Sequence, residues 1–104
     1  MTCVACLPIA DGIELDRAAQ RVLWHGLWIE LPPLQYAGLQ YLAERQGTPV
    51  PASELAATLW PDGAPHPRRN AQTLVRRLRA KLERNPAHPN VILAVVGEGY
   101  LIPA

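Results

Sequence analysis

Cysteine, serine and charge are all scarce in this chain. Two cysteines in 104 residues are too few for a disulfide-stapled scaffold, and they point to a cytosolic setting. Ser53 is the only serine and has no evident histidine and acid partners, so no nucleophilic relay is in view and the chain does not read as an enzyme. No apolar run approaches the ~18 residues of a membrane span, which predicts no membrane partner. The opening Met1-Thr2-Cys3-Val4-Ala5-Cys6 lacks a basic lead and a long apolar stretch, which predicts no signal peptide. Charged residues make up 18% against 49% hydrophobic, the balance of a folded chain and not of a disordered tail. The length suits one domain, and about two thirds of the surface can be buried at this size.

The formal net charge is only +1 and by itself suggests no partner, but its distribution does. Between Arg68 and Arg84 stand seven basic residues, Arg68, Arg69, Arg76, Arg77, Arg79, Lys81 and Arg84. Glu83 is the one acid there, so that stretch carries +6 and the remainder −5. Such segregation marks a candidate polyanion site.

Hydrophobic periodicity predicts an α+β domain. Ile13–Asp16, Val22–Trp24 and Leu27–Leu31 alternate apolar and polar, with Leu27, Ile29 and Leu31 to one side. His25-Gly26 has the length of a tight hairpin turn. Cys3 to Ile9 offers one more strand, interrupted by Pro8. The chain therefore divides into an N-terminal segment, 1–12, with room for a first strand, and a domain over 13–104. Pro32-Pro33 opens a helix with Tyr36, Leu39, Leu42 and Ala43 on one face, and Gly47 stops it near Arg45 or Gln46. A second helix spans about Ala52 to Trp60. Pro61 to Pro67, with three prolines, is a loop. A third helix runs from about Arg69 to Asn85, where Pro86 ends it. Val91 to Val96 and Tyr100 to Ile102 are strands around a Gly97-Glu98-Gly99 turn.

The third helix has two faces. Advancing about 100° per residue from Ala71 puts Leu74, Val75, Leu78 and Leu82 within about 60° of it, and Arg69, Thr73, Arg76 and Ala80 on the opposite side. Two helices on a short connection followed by a hairpin resemble a helix-turn-helix with a wing. Such a helix enters the major groove, and arginine grips a phosphate or a guanine edge with two hydrogen bonds. Gln72, Thr73 and Arg76 stand where base edges would lie; Arg69, Asn70, Arg77 and Arg79 stand where phosphates would flank the groove. The plainer alternative is a solvated amphipathic helix, but such helices mix acids with bases at four-residue spacing, and this face has almost no acid.

Further motifs stand in one order: Gly26-x-x-Ile29-x-Leu31, Leu42-Ala43 through Gly47, Glu54-Leu55 through Leu59-Trp60, Asn70 followed by Val75-Arg76-Arg77-Leu78-Arg79-x-Lys81-Leu82-Glu83, and Val95-Val96-Gly97-Glu98-Gly99-Tyr100. On these, the chain from Ile13 onward resembles the OmpR/PhoB-type winged-helix DNA-binding domain, the effector half of many bacterial response regulators. The resemblance implies a winged helix-turn-helix with an N-terminal four-stranded antiparallel sheet, three helices and a C-terminal β-hairpin wing. It also implies binding to double-stranded DNA as a homodimer or tandem assembly on direct repeats. In some members the loop before the third helix, 61–67 here, contacts RNA polymerase. No cofactor or metal is expected.

The chain departs from the family in three places. Val96 stands where the family usually has a basic wing residue, and Glu98 adds an acid that phosphate disfavours. Pro32 and Pro51 replace the usual Ser or Thr helix caps. No receiver domain fits within the 104 residues, which suits a separated effector domain or a stand-alone regulator. The wing favours an alternative function, a winged-helix interaction module that holds an acidic protein partner and does not read DNA. Cys3-x-x-Cys6 has zinc or redox spacing, yet His25, His66 and His88 are scattered, so a small buried hydrophobe or a frayed end is the simpler reading. Core packing is the simpler reading for Trp24, Trp28 and Trp60, although Trp24 and Trp28 flank the His25-Gly26 turn and would form an aromatic patch if both were exposed.

Overall fold

Short alternating segments build the front of the molecule, in a computed structural model that describes residues 6–104. Strands β1 (Cys6–Ala10), β2 (Ile13–Asp16), β3 (Arg21–Trp24) and β4 (Leu27–Glu30) pair antiparallel in sequence order. The turn between β3 and β4 is the one the sequence predicts: His25 and Gly26 have φ of 46° and 85°, the left-handed pair that a two-residue hairpin matching the strand twist requires. Asp16 shapes the preceding turn. Its Oδ1 accepts the Ala18 and Ala19 N–H groups at 3.2 and 3.1 Å, and its Oδ2 meets Arg21 Nε at 3.3 Å. The Ala19 N–H does most to hold this carboxyl below its usual range; desolvation opposes the shift, and Arg21 and the Ala18 N–H add to it.

Helices α1 (Pro33–Ala43), α2 (Ala52–Leu59) and α3 (Pro67–Leu82) follow, then the hairpin β5 (Leu93–Val95) and β6 (Gly99–Leu101). Pro32 and Pro51 stand at the helix starts without a side-chain cap, and each is compatible with the extended backbone found there. Ile9, Ile13, Leu15 and Val22 from the sheet, Tyr36, Leu39 and Leu42 from α1, Leu55 from α2 and the inner face of α3 form one buried cluster. Gly38 allows the close crossing of α1 over α3, because a Cβ there would lie 2.5 Å from Leu74 Cδ2. The hairpin is pinned to the chain ahead of α2 by reciprocal backbone bonds between Val50 and Tyr100 at 2.7 and 3.0 Å.

Several boundaries differ from the sequence reading. Helix α3 begins at Pro67, which takes the N1 position where its missing N–H costs nothing, and it ends at Leu82 and not at Asn85. Glu83 has left the helix, with ψ of 136°, and its buried carboxylate accepts the N–H groups of Asn90, Val91 and Ile92. The same bonds take Val91 and Ile92 out of the expected Val91–Val96 strand, because donors held by Glu83 are not free for a ladder; Val96 lies in the turn, so the strand is Leu93–Val95. Helix α1 closes at Ala43, ahead of Gly47. Leu31 is buried as expected, but Leu27 is 61% exposed at the start of the edge strand β4. The Cys3-x-x-Cys6 reading falls partly outside the described residues: Cys3 lies among those not described, while Cys6 is half-buried and disulfide-bonded and so is not the small buried hydrophobe expected.

Candidate nucleic-acid interface

Helix α3 presents the two faces its periodicity predicts. Ala71, Leu74, Val75, Leu78 and Leu82 are buried, while Arg68, Arg69, Gln72, Arg76, Arg77 and Ala80 are exposed and Thr73 is half-buried. The one ion pair between described residues is Arg21 with Asp16, so none of the arginines of α3 is covered by an acid of the described chain. Arg68 and Arg69 also sit in the first turn, which holds no acid, at the end where the helix dipole is already positive. Like signs there cost about 0.3–1 kcal/mol per charge, and an anion docked against them reverses the sign of that term.

Two predicted contact residues also serve the fold. Asn70 Oδ1 accepts the His66 N–H at 3.1 Å, tying the first turn of α3 back to the residue before it, although no side chain caps the helix itself. Arg79 is half-buried, and its Nε and Nη2 donate to the Ile92 carbonyl at 3.1 and 3.0 Å. Arg79 and Glu83, one turn apart, thus grip opposite polarities of the same segment: Glu83 takes three N–H groups and Arg79 a carbonyl. Together they tie the root of the wing to α3. Sequence reasoning missed this clasp, although a signal existed, since Glu83 is the only acid in the cationic run.

The wing contributes no cation. Val96 is 99% exposed and Glu98 is exposed at the tip. Arg68, Gln72, Ser53 and Glu98 share an open groove between wing and helices. None of the three tryptophans is fully buried. Trp24 donates its Nε1–H to the Leu82 carbonyl at 2.9 Å, which uses an orphan acceptor at the end of α3. Trp28 is 44% exposed beneath the Arg21 guanidinium at 3.7 Å. Trp60 caps α2 and lines a cavity with α3. Among the described residues no three His, Cys, Asp or Glu side chains gather where a metal could bind, and no helix is long and apolar enough to cross a membrane.

Two helices joined by the loop over 60–66, a four-stranded sheet ahead of them in the chain and a two-stranded hairpin after them define the winged helix-turn-helix class. The chain belongs to the family described as transcriptional regulatory protein, C terminal, which matches residues 26–102. The DNA-binding response regulator MtrA of Mycobacterium tuberculosis is 37% identical over 94 residues, covering 90% of this chain and 41% of MtrA. The chain thus spans about two fifths of the length of the curated relatives it matches. Response regulator DrrB, a Thermotoga maritima OmpR/PhoB homolog, superposes with a TM-score of 0.87 at 28% identity over 96% of this chain and 45% of DrrB. The RstA DNA-binding domain of Klebsiella pneumoniae, solved in complex with the RstA box, has a TM-score of 0.81 at 24% identity over 94% of this chain and 96% of that one; at that identity the likeness speaks for the fold.

Proposed function

We propose that this chain binds double-stranded DNA sequence-specifically, as the effector domain of a bacterial transcription regulator, with α3 in the major groove. The observation that carries the reading is the open, acid-free cationic face of α3, rigidly backed by its buried leucine stripe. A helix about 10–12 Å across fits a groove about 12 Å wide. In this reading Gln72, Thr73 and Arg76 meet base edges, and Arg69, Asn70 and Arg77 hold phosphates. Arg79 acts first as a strut for the wing and leaves Nη1 for a phosphate. The description of MtrA as a DNA-binding response regulator supports the same function. Tandem copies on direct repeats, contact of loop 61–67 with RNA polymerase, and a cytoplasmic site of action complete the proposal. No catalytic role is assigned, and the functional unit is the domain over 13–104, with β1 from the preceding segment added to its sheet.

A second reading, a module that holds an acidic protein partner on the cationic helix or the aromatic front sheet, draws on the wing, where exposed Val96 and Glu98 offer a phosphate no cation. A salt titration with random duplex DNA separates the two. DNA binding weakens steeply as salt rises, through counterion release, whereas the interaction module gives no appreciable duplex binding at low salt. A folded Arg76→Glu/Arg77→Glu double variant is expected to lose duplex binding; retention of full affinity refutes the assignment. Selection from a random duplex pool then reports the operator and whether it is a direct repeat.

A further inference from the structure

A second cavity, of about 390 Å³, lies between the start of α1, the loop before α3 and the flank of α3. This is within the size range of small-molecule sites. Pro32, Leu34 and Trp60 give it apolar walls, Arg69 and Arg77 a cationic rim, and Gln35 part of its wall. Gln35 Oε1 is the one buried side-chain acceptor among the described residues that has no hydrogen-bond partner. Buried polar atoms are nearly always paired. Gln35 lines the cavity, and the terminal amide torsion of glutamine is soft, so an occupant with a donor can draw Oε1 to itself. Apolar walls, a guanidinium rim and an acceptor lacking a donor together describe the complement of the occupant.

From this we infer that the cavity binds a small amphipathic anion: an aromatic ring against Trp60 and Leu34, a carboxylate on Arg69 or Arg77, and an N–H or O–H donated to Gln35 Oε1. Arg69 and Arg77 are the side chains proposed above to hold phosphates. An occupant therefore competes with DNA, and the cavity is an effector site that lowers DNA affinity by direct exclusion. The competition rests on the DNA-binding reading; binding of the anion does not.

Indole-3-acetate carries all three groups and serves as the probe. Titrated into the isotope-labelled full chain without DNA, it is expected to saturate in the millimolar range or below and to shift resonances of Leu34, Gln35 and Trp60. The 1-methylindole analogue, which has lost the N–H, is expected to bind about tenfold more weakly, and Gln35→Leu to weaken the parent compound alike while abolishing the difference between the two ligands. Because the analogue tests the Gln35 contact on the unaltered protein, a misfolded variant does not spare the proposal. With duplex DNA present, a ligand concentration about ten times its own Kd is expected to raise the apparent Kd for DNA about tenfold. No saturation at millimolar ligand, shifts spread along the outer arginines as acetate alone gives, or equal affinity for the methylated analogue overturns the site. Saturable binding with an unchanged Kd for DNA overturns the competition. A chain that binds the probe but no duplex at all refutes the DNA reading and leaves the anion site standing.

Discussion

Removal of the Glu83 carboxylate tests how the wing is fastened to α3. In Glu83→Ala three backbone N–H groups lose their acceptor. Asn90 is exposed and turns to water, but Val91 is 6% exposed and Ile92 0%, so their donors are stranded in the core. A stranded buried donor costs about 1–3 kcal/mol, which for the two predicts a loss of about 2–6 kcal/mol. That is a large share of the stability of about 5–15 kcal/mol usual for a domain. Glu83→Gln separates the contributions. Its amide keeps one oxygen for Asn90 and Val91 but presents N–H where Oε2 met Ile92 at 2.9 Å, so the expected loss is about 1–3 kcal/mol. Urea unfolding followed by circular dichroism measures both, and amide exchange at Val91 and Ile92 localises the effect. A loss below about 1 kcal/mol in Glu83→Ala, with exchange at both amides unchanged, refutes the clasp.

Other consequences are open to direct measurement. Arg76→Ala is expected to relax base preference at one position and to cost roughly 1–3 kcal/mol of specific affinity, read by competition among operator variants. Arg77→Ala is expected to weaken all sequences alike and to flatten the log–log salt dependence by about one unit. Gly99 has φ of 125° and its Cα faces the Val50 carbonyl. Gly99→Ala therefore adds a clash to a backbone cost of about 1–3 kcal/mol, and thermal unfolding should show the loss. The folded-state depression of the Asp16 carboxyl stabilises the protein above the ordinary carboxylate range, and this contribution fades as pH falls below about 4 toward the lowered value. Asp16→Asn should show a flatter acid limb in urea midpoints. Burial, reinforced by the charge of Asp16, raises the Tyr36 hydroxyl, so stability is expected to fall as pH rises beyond about 10.

The order of sheet, helices and hairpin was legible because each element is short and carries its own period. Alternation marks β2 to β4, and the repeat of three and four marks α3 so strongly that its buried and exposed faces follow residue by residue. Element ends were less legible, and α3 is the clearest case. Pro86 predicts an end at Asn85, but the helix stops at Leu82, three residues short of it, because Glu83 reaches across to a segment seven to nine positions further along the chain. No local pattern encodes such a contact. The tryptophans teach the same lesson. Hydrophobicity alone sends Trp24 to the core, whereas its indole N–H is drawn to the carbonyl of Leu82, 58 residues away.

Local chemistry in the chain thus determined the kind and order of the elements, which face of α3 is greasy and which is cationic, and that this stretch carries almost no acid of its own. Those are properties of neighbours along one backbone, and a period or a charge count captures them. Only the tertiary structure decided that Arg79 braces the wing while Arg76 and Arg77 stay open, that Glu83 is part of the scaffold, and that Gln35 is left with an unmatched oxygen beside two free guanidinium groups. Those outcomes depend on where distant carbonyls and amides come to rest. A buried polar group must find a partner across the fold, and the sequence does not show how far away that partner lies.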